Sequence, residues 1–388
     1  MVYFERDISD KLRVAAREYP ALVLTGARQA GKTTLLRHLF PEHRFVSLDL
    51  PQTAAQAENN PEAFFEDNPG PLLIDEVQYA PRLFRHLKRL IDAERHTMGR
   101  FVLTGSQQFP LMKDVAESLA GRIAVFALEN LSLRELSLAE EASWGQMLVR
   151  GGFPELWRQP GMDVALYYSS YVATYLERDV RQVLEVRNLR DMERFLRACA
   201  VRSGQLLNMA DLARDVGISA ATARGWLSVL EGTNQVTLLE PYFENLGKRL
   251  VKAPKLYLND VGLLCFLLEV NEGSLGKSPL LRSIWETFVF GEIRKQIVAA
   301  ATKQSVWFLR DAHGKEADFV WLREGRMDLL EAKWQELPER RAMAQLRELA
   351  EWAGRSKAYQ RGRTMMVTRT GTVYEEEGVR VTNPGRME

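Results

Sequence analysis

Residues 26–33 read GARQAGKT, in which glycines, a lysine and a threonine have the spacing of a phosphate-binding loop. Gly26 and Gly31 allow the backbone to turn its N–H groups inward, because side chains at these positions would obstruct the turn. Lys32 is then expected to reach the β- and γ-phosphates of a nucleotide and Thr33 to hold Mg²⁺. The predicted binding residues are Gly26, Ala27, Arg28, Gln29, Ala30, Gly31, Lys32, Thr33 and Thr34.

A second motif, LLIDE at residues 72–76, ends an apolar run with two acids. Asp75 is placed to contact the metal ion, and Glu76 to polarise an attacking water. A protein that only binds nucleotide can do without the second acid, so Glu76 predicts hydrolysis. The alternative is a carboxylate pair that only caps the following helix.

The segment FVLTGS at residues 101–106 brings Thr104 and Ser106 to the same edge of the predicted sheet. We select Ser106 as the polar group that monitors the γ-phosphate, with a helix N-cap as the alternative. Arg122 stands just before a fifth apolar run, where a cation could stabilise phosphoryl transfer across a subunit boundary. An ordinary surface ion pair is the alternative for Arg122.

Near the carboxyl end, Asp318, Glu331 and Lys333 match the pattern D-x(n)-E-x-K. The match to this pattern is weak evidence for a functional site when taken alone, because E-x-K occurs about once by chance in a chain of this length. A two-residue hairpin turn at residues 324 and 325 would set Asp318 opposite Glu331. The side-chain period of two then places Lys333 on the same face of the strand pair.

Two carboxylates that converge in an apolar setting repel each other and lose hydration, which a divalent metal ion would relieve. Mg²⁺ or Mn²⁺ held by Asp318 and Glu331 could activate water against a phosphodiester, while Lys333 orients the hydroxide. The alternative is a network of acids and lysine that satisfies itself inside an inactive fold.

Strand-like and helical patterns alternate over the first third of the chain, which predicts a parallel sheet covered on both faces. The predicted strands are apolar at consecutive positions, as burial on both faces requires. They cover residues 21–26, 45–50, 71–76 and 101–106.

Residues 209–232 predict two short helices with Gly217 at the turn and Ser219 as a cap, the pattern of a helix-turn-helix. Strand-like segments at residues 235–244 and 255–260 would form a wing. Packing against protein is the alternative to DNA binding. The inward residues of the second helix are Ala223, Trp226, Leu227 and Leu230, and the expected phosphate contacts are Thr222, Arg224, Lys248, Arg249, Lys252 and Lys255.

Composition adds limits to these expectations. The 388 residues carry 52 Lys plus Arg against 51 Asp plus Glu, so nucleic-acid binding must come from a local basic patch. Cys199 and Cys265 form no metal-binding pair, and the apolar stretch 261–270 is half of the roughly 20 residues that a membrane span needs. We expect a cytoplasmic protein without disulfides or membrane insertion.

The strings GARQAGKTTLL, LLIDEVQYAP, FVLTGSQQ, SLAGR, GGFPE and YLERDV resemble the prokaryotic AAA-type ATPases that carry a C-terminal domain of unknown function. The resemblance covers nearly the whole chain and implies an AAA+ fold, ATP with Mg²⁺, and assembly into a ring or another oligomer. Residues 151–154 would then mark a turn into a helical region. The resemblance also implies that Glu286 completes the metal site of a restriction-endonuclease-like fold, with Glu292 as the rival.

We therefore expect an α/β chain with four parts. These are a P-loop NTPase (AAA+) domain with a parallel sheet at residues 1–145, a helical region at 146–204, a winged helix at 205–275 and a restriction-endonuclease-like domain at 276–388.

The main hypothesis for function is an ATP-hydrolysing protein that acts on DNA, coupled to a metal-dependent nuclease domain. A DNA-remodelling or branch-migration motor with an inactive nuclease fold is the second hypothesis. The third is a nucleotide-gated regulator that binds DNA or a partner protein.

Overall fold

The computed structural model describes residues 3–105, 118–136, 142–175, 189–242, 253–310, 315–354 and 358–387. The helices in these ranges are α1 (Ser9–Glu18), α2 (Lys32–Leu39), α3 (Pro51–Asn59), α4 (Pro61–Asp67), α5 (Leu83–Ala93), α6 (Trp144–Arg150), α7 (Pro154–Arg158), α8 (Val164–Tyr175), α9 (Leu189–Val201), α10 (Met209–Val216), α11 (Ala220–Gly232), α12 (Val261–Leu267), α13 (Glu272–Leu275), α14 (Leu281–Ala300) and α15 (Arg340–Ala353). The strands are β1 (Ala21–Gly26), β2 (Arg44–Ser47), β3 (Leu72–Asp75), β4 (Phe101–Gly105), β5 (Ile123–Leu128), β6 (Gln205–Leu206), β7 (Val236–Leu239), β8 (Lys255–Leu258), β9 (Ser305–Arg310), β10 (Glu316–Arg323), β11 (Arg326–Ala332), β12 (Gln360–Val367), β13 (Tyr374–Glu376) and β14 (Val379–Thr382).

The first sheet is parallel and has the strand order β2-β3-β4-β1-β5. Alternate residues of β1 enter separate cores, because successive side chains point to opposite faces. Ala21 and Val23 pack in the core that contains the apolar face of α5, whereas Leu22 and Leu24 pack with α1 and α2. The predicted parallel sheet covered on both faces is confirmed.

The middle of the chain forms the sequence α9, β6, α10, α11, β7, β8, with the three strands in the order β6-β8-β7. Gly217 follows α10 with a left-handed backbone, φ +81°, and the Ser219 hydroxyl accepts the backbone N–H of Thr222 at 3.0 Å. The two helices and the two strands predicted here are therefore present, and the predicted inward residues of α11 are buried.

The C-terminal sheet has the order β13-β14-β12-β11-β10-β9, with α14 on one face and α15 on the other. The β10–β11 ladder pairs Phe319 with Leu330 and Arg323 with Arg326, which is the predicted register. The turn residues Glu324 and Gly325 both have positive φ, at +51° and +74°, as a two-residue hairpin turn requires. The register and the turn are confirmed.

An irregularity of β10 falls at Asp318. The pairing of β10 with β9 shifts between Ala317 and Val320, and both of these residues pack in the core on the α15 side. Strict alternation of side chains is interrupted between them, as expected at a β-bulge. The direction of the Asp318 side chain therefore does not follow from the period of two.

One apolar core crosses all four of the expected domains. Leu131, Tyr168, Leu227, Trp285 and Phe319 all belong to it. The middle region and the α14 side of the C-terminal sheet are therefore packed as one body.

No helix among the described residues has the length and apolar character that crossing a bilayer requires.

Candidate functional site

The glycine-rich loop lies between β1 and α2, at the carboxyl edge of the first sheet. Gly31 has φ +93°, where an L side chain is strained, although a Cβ atom there would make only an ordinary contact with the Arg6 guanidinium at 3.7 Å. At Gly26 a Cβ atom would lie 2.2 Å from the Leu128 carbonyl oxygen on the neighbouring strand β5. Gly31 is therefore required by the turn, as predicted, whereas Gly26 is also required by strand packing.

Lys32 begins α2 and is only 5% exposed. Its Nζ donates hydrogen bonds to the carbonyl oxygens of Gly26 at 3.0 Å and of Ala27 at 2.9 Å. The ammonium group thus lies inside the curve of the loop, where the sequence predicted a phosphate contact.

Asp75 is the centre of a hydrogen-bond network at the end of β3. Its Oδ1 accepts hydrogen bonds from the hydroxyls of Thr33 at 2.8 Å and Thr104 at 2.5 Å. Thr104 in turn accepts the backbone N–H of Glu76 at 3.1 Å. Burial raises the pKa of Asp75, while the hydrogen bonds from Thr104 and Thr33 oppose the shift. The hard oxygen donors of Thr33 and Asp75 fit Mg²⁺.

Glu76 follows β3 in a left-handed conformation, φ +57°. Its carboxylate accepts a hydrogen bond from the side-chain amide of Gln78. It lines a cleft of about 850 Å³ together with Lys32 and Thr33. Because small-molecule sites occupy roughly 300–1,000 Å³, the cleft is large enough for a nucleoside triphosphate.

Further residues that line this cleft were missed by the sequence analysis. Tyr167 of α8 donates its hydroxyl to the side-chain oxygen of Gln29 at 2.6 Å, and Arg158 of α7 lines the cleft beside Glu155. Burial raises the pKa of Tyr167 well above its usual range. Nothing in the spacing of these residues pointed to the loop more than 120 positions earlier.

Arg6 is a second missed residue, and it is 7% exposed. Its guanidinium donates to the carbonyl oxygen of Ala30 at 2.9 Å and to that of Glu129 at 2.6 Å. It also forms an ion pair with Glu135 at 3.1 Å. Arg6 thereby connects the glycine-rich loop to the chain that follows β5.

Arg122 forms a two-point ion pair with Asp92, with distances of 2.6 and 3.1 Å. It precedes the first residue of β5, so it lies at the amino edge of the sheet, opposite the glycine-rich loop. Within one chain the structure therefore shows Arg122 in a surface ion pair, the alternative given above. A role for Arg122 across a subunit boundary stays a prediction. Ser106 lies outside the described residues.

In the C-terminal domain the structure brings Asp318, Glu331 and Lys333 together. The backbone N–H of Asp318 donates to a Glu331 carboxylate oxygen at 3.4 Å, and Lys333 Nζ donates to Glu331 at 2.5 Å. Asp318 Oδ2 accepts the backbone N–H of Ala332 at 2.8 Å. We call Glu286, Glu316, Asp318 and Glu331 the acidic cluster; Glu316 was missed, although it lies two residues from Asp318 on β10.

Glu286 rather than Glu292 reaches the acidic cluster. One Glu286 oxygen accepts hydrogen bonds from Lys255 Nζ at 2.8 Å and from the Tyr257 hydroxyl at 2.6 Å. Glu292 instead accepts the backbone N–H of Leu133 at 2.9 Å and binds a lysine one turn later on α14. The geometry favours Glu286 over its rival as a member of this site.

Lys255 is placed differently from the sequence prediction. It was expected in an exposed loop as a phosphate contact, but it is the first residue of β8 and is 3% exposed. Its ammonium forms ion pairs with Glu286 and Glu316 and lies 3.8 Å from Asp318 Oδ1. The prediction was wrong because β8 carries this side chain inward, toward the acids of the C-terminal domain. Lys248, Arg249 and Lys252 lie outside the described residues.

Burial shifts the ionisation of these groups. It raises the pKa of Glu286 to about 7 and that of Glu331 to about 8, and in both cases the nearby Asp318 carboxylate adds to the shift. Burial works to lower the pKa of Lys255, but Glu286, Asp318 and Glu316 outweigh it and raise the pKa. The lysine is therefore charged, while Glu286 and Glu331 carry less than their full negative charge near neutral pH.

The predicted metal site at Glu286, Asp318 and Glu331 does not fit a divalent ion in this arrangement. Carboxylate oxygens of Glu286 and Glu331 bind Lys255, Tyr257 and Lys333. In the ranges that the structure describes, no three acidic, histidine or cysteine side chains are arranged to hold a metal ion.

Glu331 makes folding stability depend on pH. Its pKa is about 8 in the folded chain against an ordinary 4.5, so its contribution to stability is complete below pH 4.5 and is lost as the pH rises through about 8. Glu331→Gln removes this titration. The free energy of unfolding of Glu331→Gln, relative to that of the wild type, should therefore increase between pH 4.5 and about pH 8, by up to about 1.4 kcal/mol per pH unit.

Urea titrations at several pH values measure this difference. Glu324→Gln, at the exposed hairpin turn, is the matched control and should follow the wild type. Parallel pH profiles for Glu331→Gln and the wild type would contradict the prediction.

Three family models match successive parts of the chain. Residues 18–137 match the family described as AAA domain. Residues 141–274 and 282–383 match two domains of unknown function, DUF8612 and DUF4143. The glycine-rich loop, Asp75, Glu76 and Thr104 all lie in the AAA domain.

The uncharacterized proteins Mb2031c of Mycobacterium bovis and Rv2008c of Mycobacterium tuberculosis are each 34% identical over 338 residues, covering 84% of this chain and 73% of theirs. Among solved structures, the Walker-type ATPase PABY2304 of Pyrococcus abyssi is 17% identical and covers 69% of this chain and 96% of its own, with a TM-score of 0.45. RuvB of Thermotoga maritima is 16% identical and covers 60% and 88%, with a TM-score of 0.31. Both scores are low, so the family relationship rests on the mycobacterial sequences.

Proposed function

Because this chain belongs to the same family as the two mycobacterial proteins and carries an AAA-type ATPase domain, we propose that it hydrolyses ATP and acts on DNA. The proposal is carried by one observation: Thr33, Asp75 and Thr104 form a single hydrogen-bond network, and Glu76 lies beside it in the cleft. A protein that only stores nucleotide has no need of the second acid.

Each residue of the cleft has a separate role in binding or hydrolysing the nucleotide. The glycine-rich loop and Lys32 bind the phosphates, and the positive end of α2 adds to their attraction for the anion. Mg²⁺, held by Thr33 and Asp75, would neutralise charge that develops on the phosphates. Glu76 accepts a proton from the attacking water, and Gln78 donates a hydrogen bond to the Glu76 carboxylate. Thr104 fixes Asp75 relative to the backbone of Glu76.

The DNA-binding part of the proposal is supported by α10 and α11 with the strands that follow them. The outer face of α11 carries the small exposed residues Ala221, Gly225 and Ser228 around Arg224. Small side chains allow a helix to approach a groove closely, and arginine can contact phosphate or guanine. We therefore assign this unit as a winged helix with α11 as the helix that contacts DNA.

Nuclease activity has less support than ATP-driven action on DNA. Asp318, Glu331 and Lys333 converge as a nuclease would need, but the Lys255 ammonium lies among the same carboxylates. We therefore favour a DNA-remodelling motor that retains the nuclease fold without metal-dependent cleavage. The proposal includes a ring in which Arg122 acts on the nucleotide of a neighbouring subunit.

The test combines ATP hydrolysis, DNA binding and mass in solution for the wild type, Lys32→Ala and Arg224→Ala. DNA should stimulate ATP turnover in the wild type, and ATP should increase its mass to that of an oligomer. Lys32→Ala should lose turnover, whereas Arg224→Ala should keep basal turnover and bind duplex, forked and four-way DNA more weakly. Wild type that binds none of these DNAs at low salt would refute the DNA-binding part, and a monomer with ATP would refute the ring.

A further inference from the structure

We propose that the acidic cluster holds the Lys255 ammonium as its resident cation, joining β8 to the C-terminal domain, and that it does not bind a divalent metal ion. This proposal concerns the contact between β8 and the C-terminal domain and is independent of ATP hydrolysis.

The position of the ammonium is the first support. Lys255 Nζ lies 2.8 Å from Glu286, forms an ion pair with Glu316 and is 3.8 Å from Asp318. These acids come from α14 and β10, so a cation from β8 reaches two separate elements of the C-terminal domain. A divalent ion bound by the same oxygens would need the place that the ammonium occupies.

The surroundings of Lys255 show that the contact is built into the fold. The ring of Phe308 faces the ammonium, with its centroid 5.5 Å from Nζ. Tyr257, two residues further along β8, donates its hydroxyl to the same Glu286 oxygen that Lys255 binds. On the remaining side of Glu286, a Cβ atom at Gly204 would lie 3.6 Å from the carboxylate carbon.

Electrostatics make the ammonium and a divalent ion exclusive of each other. A buried lysine requires carboxylate partners, and a cluster of acids requires positive charge, so Lys255 satisfies both needs at once. A second cation in the same space would repel the ammonium in a poorly screened interior. Lys255 cannot move away easily, because it belongs to a strand that is hydrogen-bonded on both sides, to β6 and to β7.

Lys333 provides a matched comparison within the same cluster. Its ammonium binds only the Glu331 carboxylate among the acids of the cluster, at 2.5 Å, and its side chain is 37% exposed. Lys333 therefore lies at the rim, whereas Lys255 lies at the centre. Removing Lys333 leaves the central cation in place, but removing Lys255 leaves the acids without it.

The experiment measures Mn²⁺ binding to the full chain without nucleotide, by the electron paramagnetic resonance signal of free Mn²⁺. All variants carry Thr33→Val, which removes a metal ligand from the nucleotide site. The chain with Thr33→Val as its only change, called the Lys255 form, should bind no Mn²⁺ in the acidic cluster. Lys333→Ala should also bind none there. Lys255→Ala should gain one Mn²⁺ per chain with at least tenfold higher affinity, and Lys255→Ala with Asp318→Asn should lose it again.

Thermal unfolding gives a second readout. Mn²⁺ should raise the melting temperature of Lys255→Ala and leave that of the Lys255 form unchanged. Stoichiometric Mn²⁺ binding by the Lys255 form that Asp318→Asn removes would overturn the proposal. A folded Lys255→Ala chain that gains no Mn²⁺ would also overturn it, and if that variant does not fold, the measurement on the Lys255 form still decides.

Discussion

Replacing Glu76 with glutamine should lower ATP turnover by a factor of about 10²–10⁴, the usual contribution of a general base, while ATP affinity changes little. Glutamine has nearly the same shape as glutamate, so it can fill the same part of the cleft, but it cannot accept the proton of the attacking water. The neighbouring Thr33–Asp75–Thr104 network does not involve the Glu76 carboxylate, so metal and phosphate binding should survive.

Single-turnover hydrolysis and equilibrium binding of a fluorescent ATP analogue separate the two effects. Glu62→Gln is the control, since this glutamate lies on the surface of the same domain in an exposed ion pair with Arg89. Slow turnover in the wild type that Glu76→Gln does not reduce further would favour the nucleotide-gated regulator over the enzyme.

The parts of the first domain whose structure the sequence predicts correctly are those set by neighbours in the chain. The loop between β1 and α2 and the acids at the end of β3 depend on local spacing, and the parallel sheet depends on runs of apolar residues. The β10–β11 register is also local, because a two-residue turn leaves one way of pairing the strands.

Contacts between distant segments explain what the sequence analysis missed. Arg6 reaches Glu129 across 123 positions, and Tyr167 reaches Gln29 across 138. Lys255 was grouped with nearby cations as a phosphate contact, whereas it forms ion pairs with Glu286 and Glu316 in the C-terminal domain. To predict an ion pair between distant segments, one must know which helices and strands contact each other. The hydrophobic periodicity of the sequence does not contain that information.

The largest expected effect on stability comes from Arg294 of α14, which links the C-terminal domain to the ATPase sheet. Its guanidinium donates to Glu129, just beyond β5, and to the side-chain oxygen of Asn234 at 2.8 Å. The Arg294 and Glu129 side chains are only 15% and 10% exposed. Arg294→Met should therefore reduce the free energy of unfolding by about 3–5 kcal/mol, because it leaves the Glu129 carboxylate buried without a cationic partner.

Urea unfolding followed by tryptophan fluorescence measures the loss, with Arg282→Met on the exposed face of the same helix as the control. That control should change stability by no more than about 0.5 kcal/mol. Adding Glu129→Gln to Arg294→Met should recover part of the loss, since the charge left without a partner is then removed. Equal losses for Arg294→Met and Arg282→Met would contradict the argument.

The same variant tests whether ATP turnover and the acidic cluster are mechanically connected. Arg294 lies eight residues after Glu286 on α14, about 12 Å along the helix, so one rigid element contacts both the end of β5 and the acidic cluster. If nucleotide state moves β5, α14 should transmit the movement. Arg294→Met should then weaken the stimulation of ATP turnover by DNA more than it weakens basal turnover, whereas an equal reduction of both would show that the ion pair only stabilises the fold.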